Sequence, residues 1–408
     1  MTKLFAELPL SEAQTLPRWR RPDALLYLMA AAMPIAFATW SALLNNFVIE
    51  VASFTGREIG WLQSVREIPG FLAIGVIVLL WVLREQVLAL LALGLLGAAT
   101  AVTAMFPQVG GMMLVTFLSS VGFHYFETVN QSLQLQWIDR ARAPQTLGRI
   151  VAVGSGASLA AYAVLVLTWK TFNLSYGLVY GVAGGTTLLL AIAAALLYPQ
   201  FQSPHPQLKT FVLRRRYWLY YALQFMAGAR RQIFVVFAAF MMVERFGFRV
   251  DEISALFLIN FAANMIAAPA MGRAVGRWGE RRALSVEYIG LIFVFLAYGG
   301  LYWFNWSVWV AAALYVLDHL FFALAFAQKT YFQKIADPAD IAPTAAVAFT
   351  INHIAAVFLP AALGYLWLAS PAAVFALAAG MAAVSLGLSL LIPRHPEKGY
   401  ETIFARRR

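Results

Sequence analysis

Arg66, Arg230 and Arg231 lie inside long apolar runs, and so do Glu67, Glu127, Asp318, His124, His319 and His353. An ionisable side chain within an apolar helix costs at least about 2.5 kcal/mol even on permissive insertion scales, so its presence points to a task. Guanidinium groups clamp carboxylates and phosphates through two parallel hydrogen bonds. The three arginines therefore indicate binding of a small organic or inorganic anion by Arg66 and one of Arg230 or Arg231. Neighbours on a helix point about 100° apart, so Arg230 and Arg231 are expected to serve different partners, one the anion and the other a carboxylate or a packed helix. Purely structural ion pairs with Glu67, Glu127 and Asp318 are the competing reading. Glu287, near the start of its own apolar run, is a further acid.

Glu127 and Asp318 are the candidate proton carriers, with His319 beside the latter. Burial keeps a carboxyl protonated and an approaching guanidinium discharges it, so a moving arginine can load and unload a proton. His124, His319 and His353 add groups that titrate near neutrality. A metal site made of His319, His353 and Asp318 is the alternative, but a histidine in such a helix is more often a simple hydrogen-bonding residue. No metal and no cofactor is expected. His124, Glu127, Gln131 and Gln134 follow one another at steps of 3, 4 and 3 residues, which is one helical face, and Asn130 extends it. Such a stripe must face protein or water: it either lines a solute path or holds helices together. Asn45, Asn46, Asn260, Asn264 and Asn352 are less specific polar candidates.

The elements that position these residues follow from composition. Hydrophobic residues make up 62% of the 408 and charged residues 12%, too few charges to cover a soluble surface. A hydrocarbon core needs roughly 20 apolar residues per helix. Spans are predicted at 24–50, 59–83, 87–106, 110–137, 147–169, 177–199, 217–244, 252–275, 283–304, 308–334, 341–368 and 371–392. No signal peptide is expected at the start, because the apolar stretch Leu4 to Leu10 is short and interrupted by Glu7. The net charge of +11 is read as positive-inside bias and not as nucleic-acid binding. With both termini cytoplasmic, 22 of the 30 Lys and Arg fall inside. Four fall outside (Arg57, Lys170, Arg245, Arg249) and four within spans (Arg66, Arg149, Arg230, Arg231). That predicts a multi-pass protein of the inner membrane. With no cysteine, disulfides and thiol chemistry are excluded. No phosphate-cradling loop and no intramembrane protease motif is found, so neither an ATP-driven pump nor an enzyme is expected.

Two motif pairs indicate an internal repeat. Phe54, Glu58, Ile59 and Leu62 recur as Phe248, Glu252, Ile253 and Leu256, and Gln131, Gln136 and Ile138 recur as Gln328, Gln333 and Ile335. The offsets are 194 and 197 residues, at equivalent places in the two halves. The segment after the eighth span carries Gly272, Arg277, Gly279 and Arg281, and resembles the cytoplasmic G-x-x-x-D-R-x-G-R-R signature of the major facilitator superfamily. Gly276 replaces the signature's Asp, and Glu280 one basic position. The matching loop of the first half, around Arg84, has lost the signature. The resemblance implies an all-α membrane protein whose twelve transmembrane helices form two pseudo-symmetric six-helix halves. It also implies that Gly272, Arg277, Gly279 and Arg281 belong to a gating loop, and that spans 3, 6, 9 and 12 face lipid.

The expected organisation is a cytoplasmic segment 1–23, a six-helix half 24–199, a cytoplasmic linker 200–216, a second half 217–393 and a basic cytoplasmic tail 394–408. The expected function is secondary active transport of a small solute by alternating access, coupled to protons, with an anionic or carboxylate-bearing substrate held by Arg66, Arg230, Arg231, His124, Gln131, Asn260, Asn264, Asn352 and His353. The expected partners are that solute, the proton and the lipid bilayer, with the chain a monomer that binds no nucleic acid. The alternatives are an exporter of cationic or lipophilic drugs and a receptor-like chain that transports nothing. The orientation is directly testable: a reporter fused after Arg408 should be active only in the cytoplasm, and periplasmic activity would overturn both the orientation and the even number of spans.

Overall fold

The computed structural model describes residues 7–138, 143–202, 213–337 and 340–405. Most of the linker (203–212), the ends of the chain, and Arg140 and Arg142 after the fourth predicted span lie outside the described residues. The described chain is almost entirely helical, as expected from its apolar runs. The helices of the first part are α1 (Pro22–Glu50), α2 (Gly56–Phe71), α3 (Gly75–Leu79), α4 (Glu85–Val102), α5 (Val109–Trp137), α6 (Ala143–Thr168) and α7 (Tyr176–Leu197). Those of the second are α8 (Trp218–Gln232), α9 (Ala239–Glu244), α10 (Val250–Trp278), α11 (Glu280–Trp303), α12 (Val308–Phe322), α13 (Phe326–Ile335), α14 (Ile341–Ala369) and α15 (Pro371–Leu390). Local chemistry sets several starts. Ser175 and Ser370 cap α7 and α15 by accepting the backbone N–H of Leu178 and Ala373, and Pro371 opens α15.

Among the described residues, eleven helical stretches are long and apolar enough to cross a membrane. The expected span not among them is 59–83. It carries Arg66 and Glu67, and a 3-10 turn at Leu72–Ile74 separates α2 from α3. A similar turn at Ala323–Ala325 divides α12 from α13.

The chain forms two compact units. One comprises Met1–Ser53, Ile68–Lys209 and Val250–Ala255, the other Phe54–Glu67, Thr210–Arg249 and Leu256–Arg408. The first part of α2 thus groups with the second unit, and the first residues of α10 with the first.

In the first unit, helices pack through small residues, which let backbones approach where lipid offers no hydrophobic drive. A Cβ at Gly97 of α4 would stand 2.7 Å from the Gly184 carbonyl oxygen of α7, and one at Gly122 of α5 would stand 2.7 Å from the Ala92 carbonyl oxygen of α4. The segment before α1 is structured: β1 (Glu7–Pro9) pairs in parallel with β2 (Gln200–Gln202), a small departure from an all-helical chain. Glu7 accepts hydrogen bonds from Arg84 and Gln202.

In the second unit α8 packs on α14, where Gly228 lies so close to the Asn352 carbonyl that no side chain fits. Tyr220 stacks on Phe332 with ring centroids 4.3 Å apart. The described part of the basic tail is folded onto this unit: Glu401 and Thr402 are buried, and Tyr331 donates to the Glu401 carbonyl at 2.6 Å. Asp340, just before α14, binds Arg214 and Tyr217, and Asp337 binds Arg216 and Lys398. The hydrogen bond from Arg214 holds the Asp340 carboxyl down at about 2.

The structure adds a third correspondence between the halves. Glu85 begins α4 and accepts from Ser132 and Gln136 at the end of α5. Glu280, 195 positions later, begins α11 and binds Lys334 at the end of α13 at 2.7 Å. Each acid sits at a helix N-terminus, where negative charge is favoured.

The packing glycines give a test with an internal control. Gly184→Ala should lower the thermal midpoint of the purified protein, corresponding to about 1–3 kcal/mol of overpacking. Gly181→Ala, one turn away with nothing within 4 Å of a new Cβ, should leave it unchanged or slightly raised. Equal effects at both positions would remove the close helix approach.

Candidate functional site

The residues singled out from sequence fall into three groups. In the first unit α5 is an unbroken helix, so His124, Glu127, Gln131 and Gln134 do share a face. His124 is buried at the inner end of the stripe. Its Nδ1 meets the Ser120 hydroxyl at 2.9 Å and the Ser120 carbonyl at 3.1 Å, and its ring meets Phe123 edge-on. Glu127 and Gln134 are half-buried and Gln131 is exposed. The stripe therefore runs from a packed end to an open one.

The second group lies in the second unit around Glu67, whose side chain is nearly buried. Arg66 reaches the Glu67 carboxylate through Nη2 at 2.7 Å and Nε at 3.2 Å. From α8, Arg231 approaches the other oxygen at 3.8 Å, and from α14 His353 places Nε2 3.6 Å from that same oxygen. His353 Nδ1 sits 2.8 Å from the Phe349 carbonyl. A carbonyl only accepts, so Nδ1 carries the proton and Nε2 can bond to Glu67 only when the ring is doubly protonated. Two guanidiniums and an imidazole thus gather around one carboxylate. Arg231 keeps about a third of its side chain exposed, at 34%.

The third group is built on Arg230, which is 1% exposed. Its Nη2 donates to Glu287 at 2.8 Å, its Nη1 reaches the Ser385 hydroxyl at 3.3 Å, and its guanidinium lies 4.8 Å from the Tyr288 ring centre. Glu287 is fully buried. It stands on α11, the helix expected to face lipid, so that expectation does not hold for the stretch around Glu287: the acid turns inward because α8 brings a guanidinium to it. Asp318 of α12 is also buried, 1% exposed, and forms no ion pair among the described residues. The adjacent arginines thus diverge as helical geometry demands. Beyond them the helix widens into π turns over Ile233–Ala238, a distortion that collects at functional sites.

Other candidates have different surroundings. Asn352 donates to the Gln224 carbonyl of α8 at 3.1 Å, a helix-to-helix bond. Asn260 is buried with neither side-chain polar atom hydrogen-bonded, and Asn264 is half-buried. His319 packs against Phe234 and Tyr315. Among the described residues His319, His353 and Asp318 do not converge closely enough to hold a metal: His353 turns to Glu67 and His319 into an aromatic pocket. The expected gating loop is largely helical, since α10 continues through Gly272 and Arg277 to Trp278. Only Gly279 leaves the helix, at φ 77° and ψ 164°, a backbone that glycine alone adopts without strain. Arg281 already belongs to α11. Glu287 is the participant that sequence reading underrated, and the signal was there: an acid inside an apolar run needs a partner.

Removing Arg230 strands buried acids, whereas removing Arg231 strands none. At pH 8, Arg230→Gln should cost about 3–5 kcal/mol of stability, the usual penalty for breaking a buried pair. Arg231→Gln should cost no more than about 1 kcal/mol, since its ion pair is long and partly solvated. Thermal unfolding in detergent reads both, and the reverse ranking would overturn this assignment of the two arginines.

The profile of the Major Facilitator Superfamily matches residues 24–360. No curated protein is detectably similar in sequence. The fold is similar to that of several solved transporters. The nucleoside transporter NupG (D323A mutant) superposes with a TM-score of 0.74 at 14% identity, covering 90% of this chain and 99% of that one. The POT family transporter PepTSo gives 0.69 at 13% identity, covering 91% and 97%. A bacterial homologue of the human lysosomal transporter Spinster, inward-facing and unoccupied, gives 0.67 at 13% identity, covering 90% and 94%.

Proposed function

The chain belongs to the major facilitator superfamily, and on that premise we propose that it carries a small anionic or carboxylate-bearing solute across the inner membrane by alternating access, driven by protons. The observation that carries the substrate class is the Glu67 cluster, where Arg66 and Arg231 converge on one carboxylate beside His353. Glu67 occupies the place that a solute carboxylate would take on Arg231. A bound anion would displace the long Arg231–Glu67 contact and gain a charge-assisted hydrogen bond in a half-buried setting, worth about 1.5–3 kcal/mol. The open end of the α5 stripe, with Glu127 and Gln131, supplies polar groups of the kind a solute path needs. In this reading both termini lie in the cytoplasm, which the distribution of the basic residues supports. Glu127 and Asp318 are the proton carriers in this reading.

The test is ligand-induced thermal stabilisation against panels of organic and inorganic anions and of cations. Anions should stabilise the wild-type protein, and Arg231→Gln and Arg66→Gln should each weaken that effect at least tenfold in apparent affinity, about 1.4 kcal/mol. Stabilisation by anions that survives in both variants would refute the site. Stabilisation by cations alone would refute the substrate class and favour a drug exporter.

A further inference from the structure

The buried charges of the second unit can be counted. Glu280 is matched by Lys334, Asp340 by Arg214, and Glu67 by Arg66 and Arg231. Glu401 accepts the Gly399 N–H at 3.0 Å. Glu287 and Asp318 remain, and Arg230 is the one fully buried Lys or Arg among the described residues. Arg230 reaches both helices: it donates to Glu287 on α11, and its guanidinium lies 5.9 Å from the ring centre of Phe322, one helical turn after Asp318 on α12. If both were ionised, one guanidinium would face two carboxylates in a region from which water is excluded. One negative charge would then stand uncompensated, a state that buried groups avoid by taking up a proton.

The atoms around the pair fit that answer. Glu287 Oε1 receives Arg230, while Oε2 has no hydrogen-bond partner; Asp318 Oδ1 has none either. The Tyr298 hydroxyl, fully buried and within electrostatic reach of Asp318, is also without a partner. Other titratable or charged neighbours do not supply a second cation. Tyr288 accepts from Gln328 and lies under Arg230; Tyr315 and His319 on α12 pack against Phe234; Arg231 is turned to Glu67; Ser385 of α15 is neutral.

We propose that Glu287 and Asp318 share a single proton, balanced by Arg230, and that this buried pair on α11 and α12 is the coupling site of the carrier. The inference rests on the reading of the chain as a proton-driven transporter and relocates the proton from Asp318 alone to a pair that includes α11. Loading takes a proton from water onto the pair, and unloading returns it to water, with no other bond made or broken. The proton belongs to the pair and not to either residue.

Infrared spectroscopy of the purified protein, without any solute, tests this. The wild type should show a protonated-carboxyl C=O band that shifts in D₂O. Glu287→Gln and Asp318→Asn should each abolish it, because either variant leaves one acid, ionised against Arg230. Arg230→Met should enlarge it about twofold, because both acids then hold protons, so a poorly folding Glu287→Gln does not leave the outcome open. A band removed by only one of the two acid variants would assign the proton to one residue and overturn the sharing. No band, or thermal stabilisation by NaCl over choline chloride that disappears in Asp318→Asn, would overturn the proton site. Loss of the band in both variants, in a protein that no anion stabilises, would uphold the shared proton while the solute reading failed.

Discussion

A charge enclosed by apolar helices must find its counter-charge there, because neither lipid nor packed side chains can solvate it. Much of the second unit is arranged by that constraint. Arg230 reaches from α8 to Glu287 on α11, and Glu67 collects Arg66 from its own helix, Arg231 from α8 and His353 from α14. These contacts tie together helices far apart in sequence. The apolar surfaces between them supply packing but little choice of partner, since one leucine serves as well as another.

The same constraint separates two arginines that are neighbours in the chain. Arg230 is enclosed by Glu287, Ser385 and the Tyr288 ring, so movement there would break several contacts at once. Arg231 has one long ion pair and access to solvent. One helix bears both an enclosed charge and a partly solvated one because successive side chains point about 100° apart.

Glycine does in the first unit what charge does in the second. Gly97, Gly122 and Gly184 bring α4, α5 and α7 to backbone contact, where any side chain would collide. The ends of the helices are then held by short polar links, Glu85 to α5 in one half and Glu280 to α13 in the other. The second link stands where the superfamily signature has a basic residue, so this chain closes that corner with the opposite sign.

Hydropathy made the membrane class and eleven of the expected spans readable from sequence alone. Helical period also placed His124, Glu127, Gln131 and Gln134 on one face and drove Arg230 and Arg231 apart. These properties depend on each helix by itself, on its length and on the 3.6-residue turn. Which arginine would be enclosed, that Glu287 rather than Asp318 or Glu127 would hold it, that Asn352 would bond to a backbone carbonyl, and that the first part of α2 would group with the second unit were decided by tertiary structure. Each of these turns on which faces of distant helices meet, and periodicity within one helix carries no information about the face of another.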